Sequence, residues 1–129
     1  MVLIDSTVWI DFFNGIKNQQ TDSMSDLLEN NLIYLADIVI LEVLQGIRDD
    51  KLFEEIKILF GNCIILNVLN TEYAIKSANN FRYLRKKGIT IRKSIDCLIA
   101  TYCIENSIKL LHIDKDFQPF VEYLGLKII

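Results

Sequence analysis

Four carboxylates stand out by where they fall in the chain. Asp5 directly follows the apolar run Val2-Leu3-Ile4, and Asp114 directly follows the run Leu110 to Ile113. Asp96 comes two residues after Ser94, at the start of a helical pattern, and Glu42 lies inside Val39-Ile40-Leu41-Glu42-Val43-Leu44. Three of them have ordinary structural readings: Asp5 as a helix cap, Asp96 as complement to a helix dipole, Asp114 as a turn residue. Glu42 resists one. Its neighbours one helical turn away are Ile38, Val39, Gln45 and Gly46, so no local cation balances it, and a carboxylate in apolar company is costly unless paired. Brought together without basic partners, the four acids would repel one another and their pKa values would rise. A hard divalent cation, Mg2+ or Mn2+, relieves that repulsion, since it takes carboxylate oxygens and keeps several waters. One or two such ions activate water and shield a phosphoryl oxygen, which makes phosphodiester hydrolysis the natural chemistry.

Competing chemistries lack their residues. His112 is the lone histidine, no G-x-S-x-G occurs, and the five glycines are scattered rather than gathered into a phosphate-binding loop. Cys63, Cys97 and Cys103 are odd in number and form no C-x-x-C, so neither a disulfide framework nor a zinc site is expected. They read as small buried hydrophobes of a reducing cytosol.

The elements that would position the acids follow from the apolar pattern. A chain of 129 residues, 51% hydrophobic and with a single proline, is expected to form one domain over residues 1–129 with a sizeable core. Five short runs read as strands covered on both faces: Val2 to Ile4, Leu32 to Ala36, Cys63 to Leu66, Leu110 to Ile113 and Lys127 to Ile129. Between them the spacing predicts helices around Val8 to Phe13, at Met24, Leu27 and Leu28, over Ile38 to Ile47 behind Asp37, and over Asp49 to Phe60. Two more are expected over Thr71 to Lys87, stopped by Gly88, and over Ser94 to Asn106 with Ser94 as cap. Strand–helix alternation in one domain means an α/β fold with a mostly parallel sheet. Such sheets bind ligands beyond the carboxyl ends of their strands. Asp5 and Asp114 fall there, and the first turns carrying Asp96 and Glu42 face the same end.

With the acids placed, the sequence resembles a known family. Ile4-Asp5-Ser6-Thr7-Val8-Trp9-Ile10-Asp11 is similar to the opening of PIN-domain ribonucleases of the VapC toxin type. The likeness continues through Ile40-Leu41-Glu42-Val43-Leu44-Gln45-Gly46, Ser94-Ile95-Asp96-Cys97-Leu98-Ile99-Ala100 and His112-Ile113-Asp114-Lys115-Asp116-Phe117, in family order. The resemblance covers essentially the whole chain. It implies a PIN-like domain, a parallel sheet of about five strands flanked by helices in three layers. It also implies endoribonuclease activity dependent on Mg2+ or Mn2+, a small antitoxin that binds and blocks the site, and a homodimer. Carried over position by position, it makes Asp5, Glu42, Asp96 and Asp114 the catalytic, metal-binding acids. Ser6 matches a position whose hydroxyl lies close to the site, orienting Asp5 or a water. Asp116 is a candidate outer-shell acid or a turn residue.

A haloacid-dehalogenase-like phosphatase would need D-x-D-x-T where this chain has Asp5-Ser6-Thr7-Val8-Trp9. A receiver domain would need adjacent acids near the first strand. The non-enzymatic alternative is a catalytically silent PIN-like module that binds RNA or protein.

The formal charge of -3 is unevenly distributed. From Tyr73 to Ile95 there are seven basic residues, Lys76, Arg82, Arg85, Lys86, Lys87, Arg92 and Lys93, and no acid. Arg85, Lys86 and Lys87 suit the last turn of a helix. Arg92 and Lys93 precede the helix of Asp96, where they would hold phosphates flanking the scissile one or offset a carboxylate. Trp9, Phe12 and Phe13 could stack a base, although core packing is the expectation for Trp9. The N-terminus meets a carboxylate at once and has no basic leader region. No apolar stretch approaches the roughly 20 residues of a membrane span, so a cytoplasmic protein is expected.

Overall fold

The computed structural model describes residues 1–129. Four of the five apolar runs become strands: β1 (Val2–Ile4), β2 (Ile33–Ala36), β3 (Ile64–Leu66) and β4 (Lys109–Leu111). They form one fully parallel sheet in the order β3-β2-β1-β4. The helices are α1 (Ser6–Phe13), α2 (Gln19–Glu29), α3 (Asp37–Gln45), α4 (Asp50–Gly61), α5 (Thr71–Lys86), α6 (Ser94–Glu105) and α7 (Gln118–Leu124), the last preceded by a 3₁₀ turn over Lys115–Phe117. From β1 the chain steps outward through β2 to β3, then crosses back to the far side of β1 for β4. Right-handed crossovers therefore put α1 to α4 on one face and α5 and α6 on the other, giving the expected three layers.

The fifth run does not form a strand. Gly125, with φ +76°, ends α7 in the left-handed conformation, and the turn uses Leu126. The three residues left reach a strand that is itself only three residues long, so they make one bridge, Leu110 with Ile128, closed by Leu110 N–H to Lys127 O and Ile129 N–H to Leu110 O. The sheet thus has four strands instead of five. Burial on both faces holds for β1 but not for β3, where Ile64 and Ile65 are 54% and 44% exposed; β3 is the border strand, paired only with β2. The helix α7 is absent from the sequence expectation. Its signals are Phe117, Phe120, Val121 and Leu124 at helical spacing, with Pro119 in the first turn, a position proline tolerates. Ser94 is the first residue of α6 and not its cap; Lys93 holds the cap position without a side-chain bond.

The core is one cluster of 27 buried residues that takes in all of β1. Trp9 is fully buried, its ring 5.6 Å from that of Phe13 and 5.0 Å from that of Phe60, so it is a packing residue. Asp37 joins separate elements. Its carboxylate accepts from Ile38 N–H at 2.8 Å, Val68 N–H at 3.0 Å and Leu69 N–H at 3.3 Å, tying the start of α3 to the segment after β3. Asp37→Ala leaves those donors unmet and is expected to cost about 1–3 kcal/mol, read as a lower urea midpoint at unchanged slope.

Candidate functional site

The strand order reverses between β1 and β4, and a parallel sheet opens a crevice at such a reversal, beyond the strands' carboxyl ends. Asp5 ends β1 there, its N–H bonded to Leu111 O of β4 at 2.9 Å. Asp114 follows β4 three residues on. The segment after β2 delivers Glu42 on α3, and α6 points its first turn, with Asp96, at the same place.

Both acids at the reversal divide their two oxygens. Asp5 caps α1: its Oδ2 accepts from Thr7 N–H at 3.2 Å and from the Thr7 hydroxyl at 2.6 Å, while its Oδ1 is buried with no partner. Asp114 caps the 3₁₀ turn through Oδ1, which accepts from Asp116 N–H at 2.9 Å, and turns Oδ2 toward Lys93 Nζ at 3.6 Å. Glu42 Oε1 and Asp96 Oδ2 are likewise buried and unpartnered. The cap and turn readings of Asp5 and Asp114 thus account for one oxygen each; the second is unpartnered in Asp5 and faces Lys93 in Asp114.

The acids from these elements feel one another. Burial pushes the Asp96 carboxyl up to about 7, with Asp5, Asp114 and Glu42 adding to the rise and Lys93 opposing it. Glu42 is raised by burial and then by Asp5; the Ser6 hydroxyl and Lys93 pull it back. Asp5 is raised by burial against its bonds to Thr7. Ser6 therefore serves Glu42 with its hydroxyl, and Thr7 is the residue that orients Asp5. Thr7 also accepts from Ile113 N–H at 3.3 Å, linking the β1 acid to the loop of Asp114. Sequence reasoning passed over Thr7, although a hydroxyl two residues past a helix cap was the available signal.

Asp116 lies closer to the centre than its sequence position suggests. Asp96, Asp114 and Asp116 each offer an oxygen within 4.8 Å of the others. Asp116 is also gripped by Arg92, whose Nε and Nη2 donate to Oδ2 at 3.1 and 2.8 Å. Of the basic stretch, Arg92 and Lys93 reach the acids; Arg85, Lys86 and Lys87 are exposed at the end of α5. His112 stands near Asp5 with its ring 4.8 Å from Phe117; burial lowers its pKa, and it is a neutral packing group. Burial also raises the thiols of Cys97 and Cys103, to about 11 and about 12, which keeps them inert.

Buried carboxylate oxygens without donors, on Asp5 raised by burial and on Asp96 and Glu42 raised by burial and by neighbouring carboxylates, make a donor set of hard oxygens that fits a divalent cation. A hollow of about 270 Å³ lined by Thr7, Ile10, Asp11, Ile113 and Asp114 adjoins the cluster at Asp114. The largest cavity, about 510 Å³ between α5 and α6, contains no carboxylate. The acid cluster is therefore the candidate site.

Comparison with known proteins bears on the family and the fold. The family model described as PIN domain matches residues 2–121. A relative from Mycobacterium bovis, VapC ribonuclease Mb1587, is 27% identical over 98% of this chain and 96% of its own length. Ribonuclease VapC11 of Mycobacterium tuberculosis matches to the same extent. Among solved structures, VapBC2 from Rickettsia felis, bound to a promoter DNA fragment, superposes with a TM-score of 0.75 at 18% identity, covering 100% of this chain and 98% of that one. FitAcB from Neisseria gonorrhoeae superposes with a TM-score of 0.71 at 18% identity, covering 100% and 96%.

Proposed function

The chain belongs to the PIN-domain family, and from that premise we propose that it is a divalent-metal-dependent endoribonuclease, the toxin of a toxin–antitoxin pair. The observation that carries this reading is the convergence of Asp5, Glu42 and Asp96 with unpartnered buried oxygens, beside Asp114, at the reversal of the sheet. Ribonuclease names on relatives spanning nearly the whole chain support the activity. The toxin–antitoxin setting is supported by a structural neighbour solved as a VapBC complex.

Asp5, Glu42, Asp96 and Asp114 would hold one or two Mg2+ or Mn2+ ions, with Asp116, whose carboxylate lies within 4.8 Å of those of Asp96 and Asp114, beside them. When bound, the ion supplies Lewis acidity, offsetting charge on the phosphoryl oxygens and acidifying a water. The chain's own residues set the geometry. Thr7 fixes the rotamer of Asp5, Ser6 favours ionised Glu42, and Lys93 and Arg92 stand at the rim where flanking phosphates would lie. A small antitoxin would cover this face, and a homodimer in the cytoplasm is the expected working form.

The test is cleavage of structured RNA with Mg2+ or Mn2+, with and without chelator. Cleavage that persists in chelator, or RNA binding with no metal-dependent cleavage, overturns the reading; the second result would leave a silent binding module. Thr7→Val keeps the shape and removes the hydroxyl. It is expected to weaken activation by Mn2+ by about 10- to 100-fold, the usual cost of losing a group that orients a metal ligand, seen as a right-shifted metal titration of the cleavage rate.

A further inference from the structure

The largest cavity lies away from the acids. It is a groove of about 510 Å³ between α5 and α6, within the size range of small-molecule sites. The α6 side presents Ser94, Cys97 and Leu98, while Asp96 sits roughly 150° round the helix at 3.6 residues per turn. The α5 side is one stripe: Ala74, Ser77, Ala78, Phe81, Arg82 and Arg85. From Ala74 to Arg85 it runs for about 16 Å at helical rise. Two alanines in the stripe leave depth that larger side chains would fill. The seam beneath is closed, since Cys97 Sγ donates to the Ser77 carbonyl at 3.2 Å and Leu98 is 6% exposed.

The groove is apolar along most of its length and cationic at one end. The two helices run antiparallel, with Lys76 bonded to Glu105 and Asn80 to Thr101. The arginine end of α5 therefore meets the first turn of α6. Arg82 and Arg85 are exposed there, and neither is paired with a carboxylate. Arg85 lies 5.7 Å from the ring centre of Phe81, which holds its guanidinium over the apolar floor. Lys93, at the cap position of α6, makes no side-chain bond to the first turn, and the N–H groups of such a turn favour an anion. No acid lines the groove. Ser77, otherwise buried among apolar neighbours, has a hydroxyl with no hydrogen-bond partner, and a hydroxyl of that kind offers an occupant one more bond.

We propose that this groove binds a free amphipathic carboxylate of the fatty-acid kind. Arg82, Arg85 and the first turn of α6 hold the head, and the tail lies along Ala74, Ala78 and Leu98. A carboxylate is the group that a guanidinium fork grips best with two parallel hydrogen bonds, and the stripe is long enough for an extended aliphatic chain. The site is separate from the acid cluster and does not depend on the ribonuclease reading.

The probe is decanoate, below its micelle-forming concentration, titrated into the protein by isothermal calorimetry. One saturable site per chain is expected. Hexanoate, with a shorter tail, is expected to bind at least about tenfold more weakly. Decyltrimethylammonium, with the same tail and the opposite charge, is expected not to bind. The variant Arg82→Ala/Arg85→Ala changes only exposed side chains and is expected to lose about 10- to 100-fold in affinity. Ala78→Phe fills the groove and is expected to lose at least about tenfold. Absence of saturable binding, equal binding of the cationic amphiphile, or unchanged affinity in the double arginine variant overturns the proposal. Binding to phosphatidylglycerol vesicles but not to decanoate overturns it in favour of a membrane surface. Binding seen only where light scattering shows monomer overturns it in favour of a second copy of the chain seated in the groove. RNA cleavage is measured on the same samples: its loss alone would leave the groove standing, and a failed titration would leave the ribonuclease reading untouched.

Discussion

Asp96→Asn is expected to lower RNA cleavage by about a thousandfold while raising the melting temperature of the metal-free protein. The first effect follows from its place in the site. Asp96 is 4% exposed, one oxygen has no protein partner, and it shares space with Asp5, Asp114 and Glu42. An amide in its place is a poorer ligand for a hard cation. Losing several kcal/mol of charge stabilisation at the transition state corresponds to a factor of about 10³. The second effect has the opposite sign for the same reason. The amide removes a charge that burial and three neighbouring acids oppose, and it adds a donor where only acceptors meet. Steady-state cleavage and a thermal melt in chelator separate the two. Lost activity with a lowered melting temperature would mean simple unfolding, and retained activity would remove Asp96 from the mechanism.

In chelator, the melting temperature is expected to fall by on the order of 10 °C between pH 5 and pH 8, and Mg2+ or Mn2+ is expected to restore it. Asp96 titrates at about 7 in the folded protein against 3.8 ordinarily. Between those values the native state holds a proton that the unfolded chain has released, so stability declines as pH rises through the window. At about 1.4 kcal/mol per unit, the decline from pH 5 upward is about 3 kcal/mol. Asp5 and Glu42 are also raised and act in the same direction. His112 acts against them: its lowered pKa means that the unfolded chain takes up a proton first as pH falls, which favours the folded state at higher pH. Three acids against one histidine leave the decline dominant. A flat profile in chelator would show that the acids do not press on one another.

Much of this candidate site was legible from one-dimensional pattern. Asp5 and Asp114 betray themselves by ending apolar runs, and Glu42 by having no cation within a helical turn. Those are local properties, and the parallel-sheet rule turns them into a place in space. What stayed hidden depends on which segments meet. Nothing adjacent to Arg92 announces Asp116, 24 positions on, as its partner, and nothing near Thr7 announces Ile113 as a donor. The missing helix is a different case. Phe117, Phe120, Val121 and Leu124 have helical spacing, but Pro119 reads as a breaker unless its position in the first turn is already known. The lost fifth strand reflects end effects: after Gly125 turns the chain, too few residues are left to hold a register.

The divided oxygens of Asp5 and Asp114 bear on ion selectivity. Each side chain has one oxygen anchored by a backbone N–H, so the rotamers on either side of the crevice are set when the chain folds and not when an ion arrives. If these two side chains hold an ion as proposed, walls fixed in this way would sort ions by radius and demand a regular shell. That would suit a small cation with strict octahedral habits and work against calcium, which relies on ligands free to splay and wrap around it.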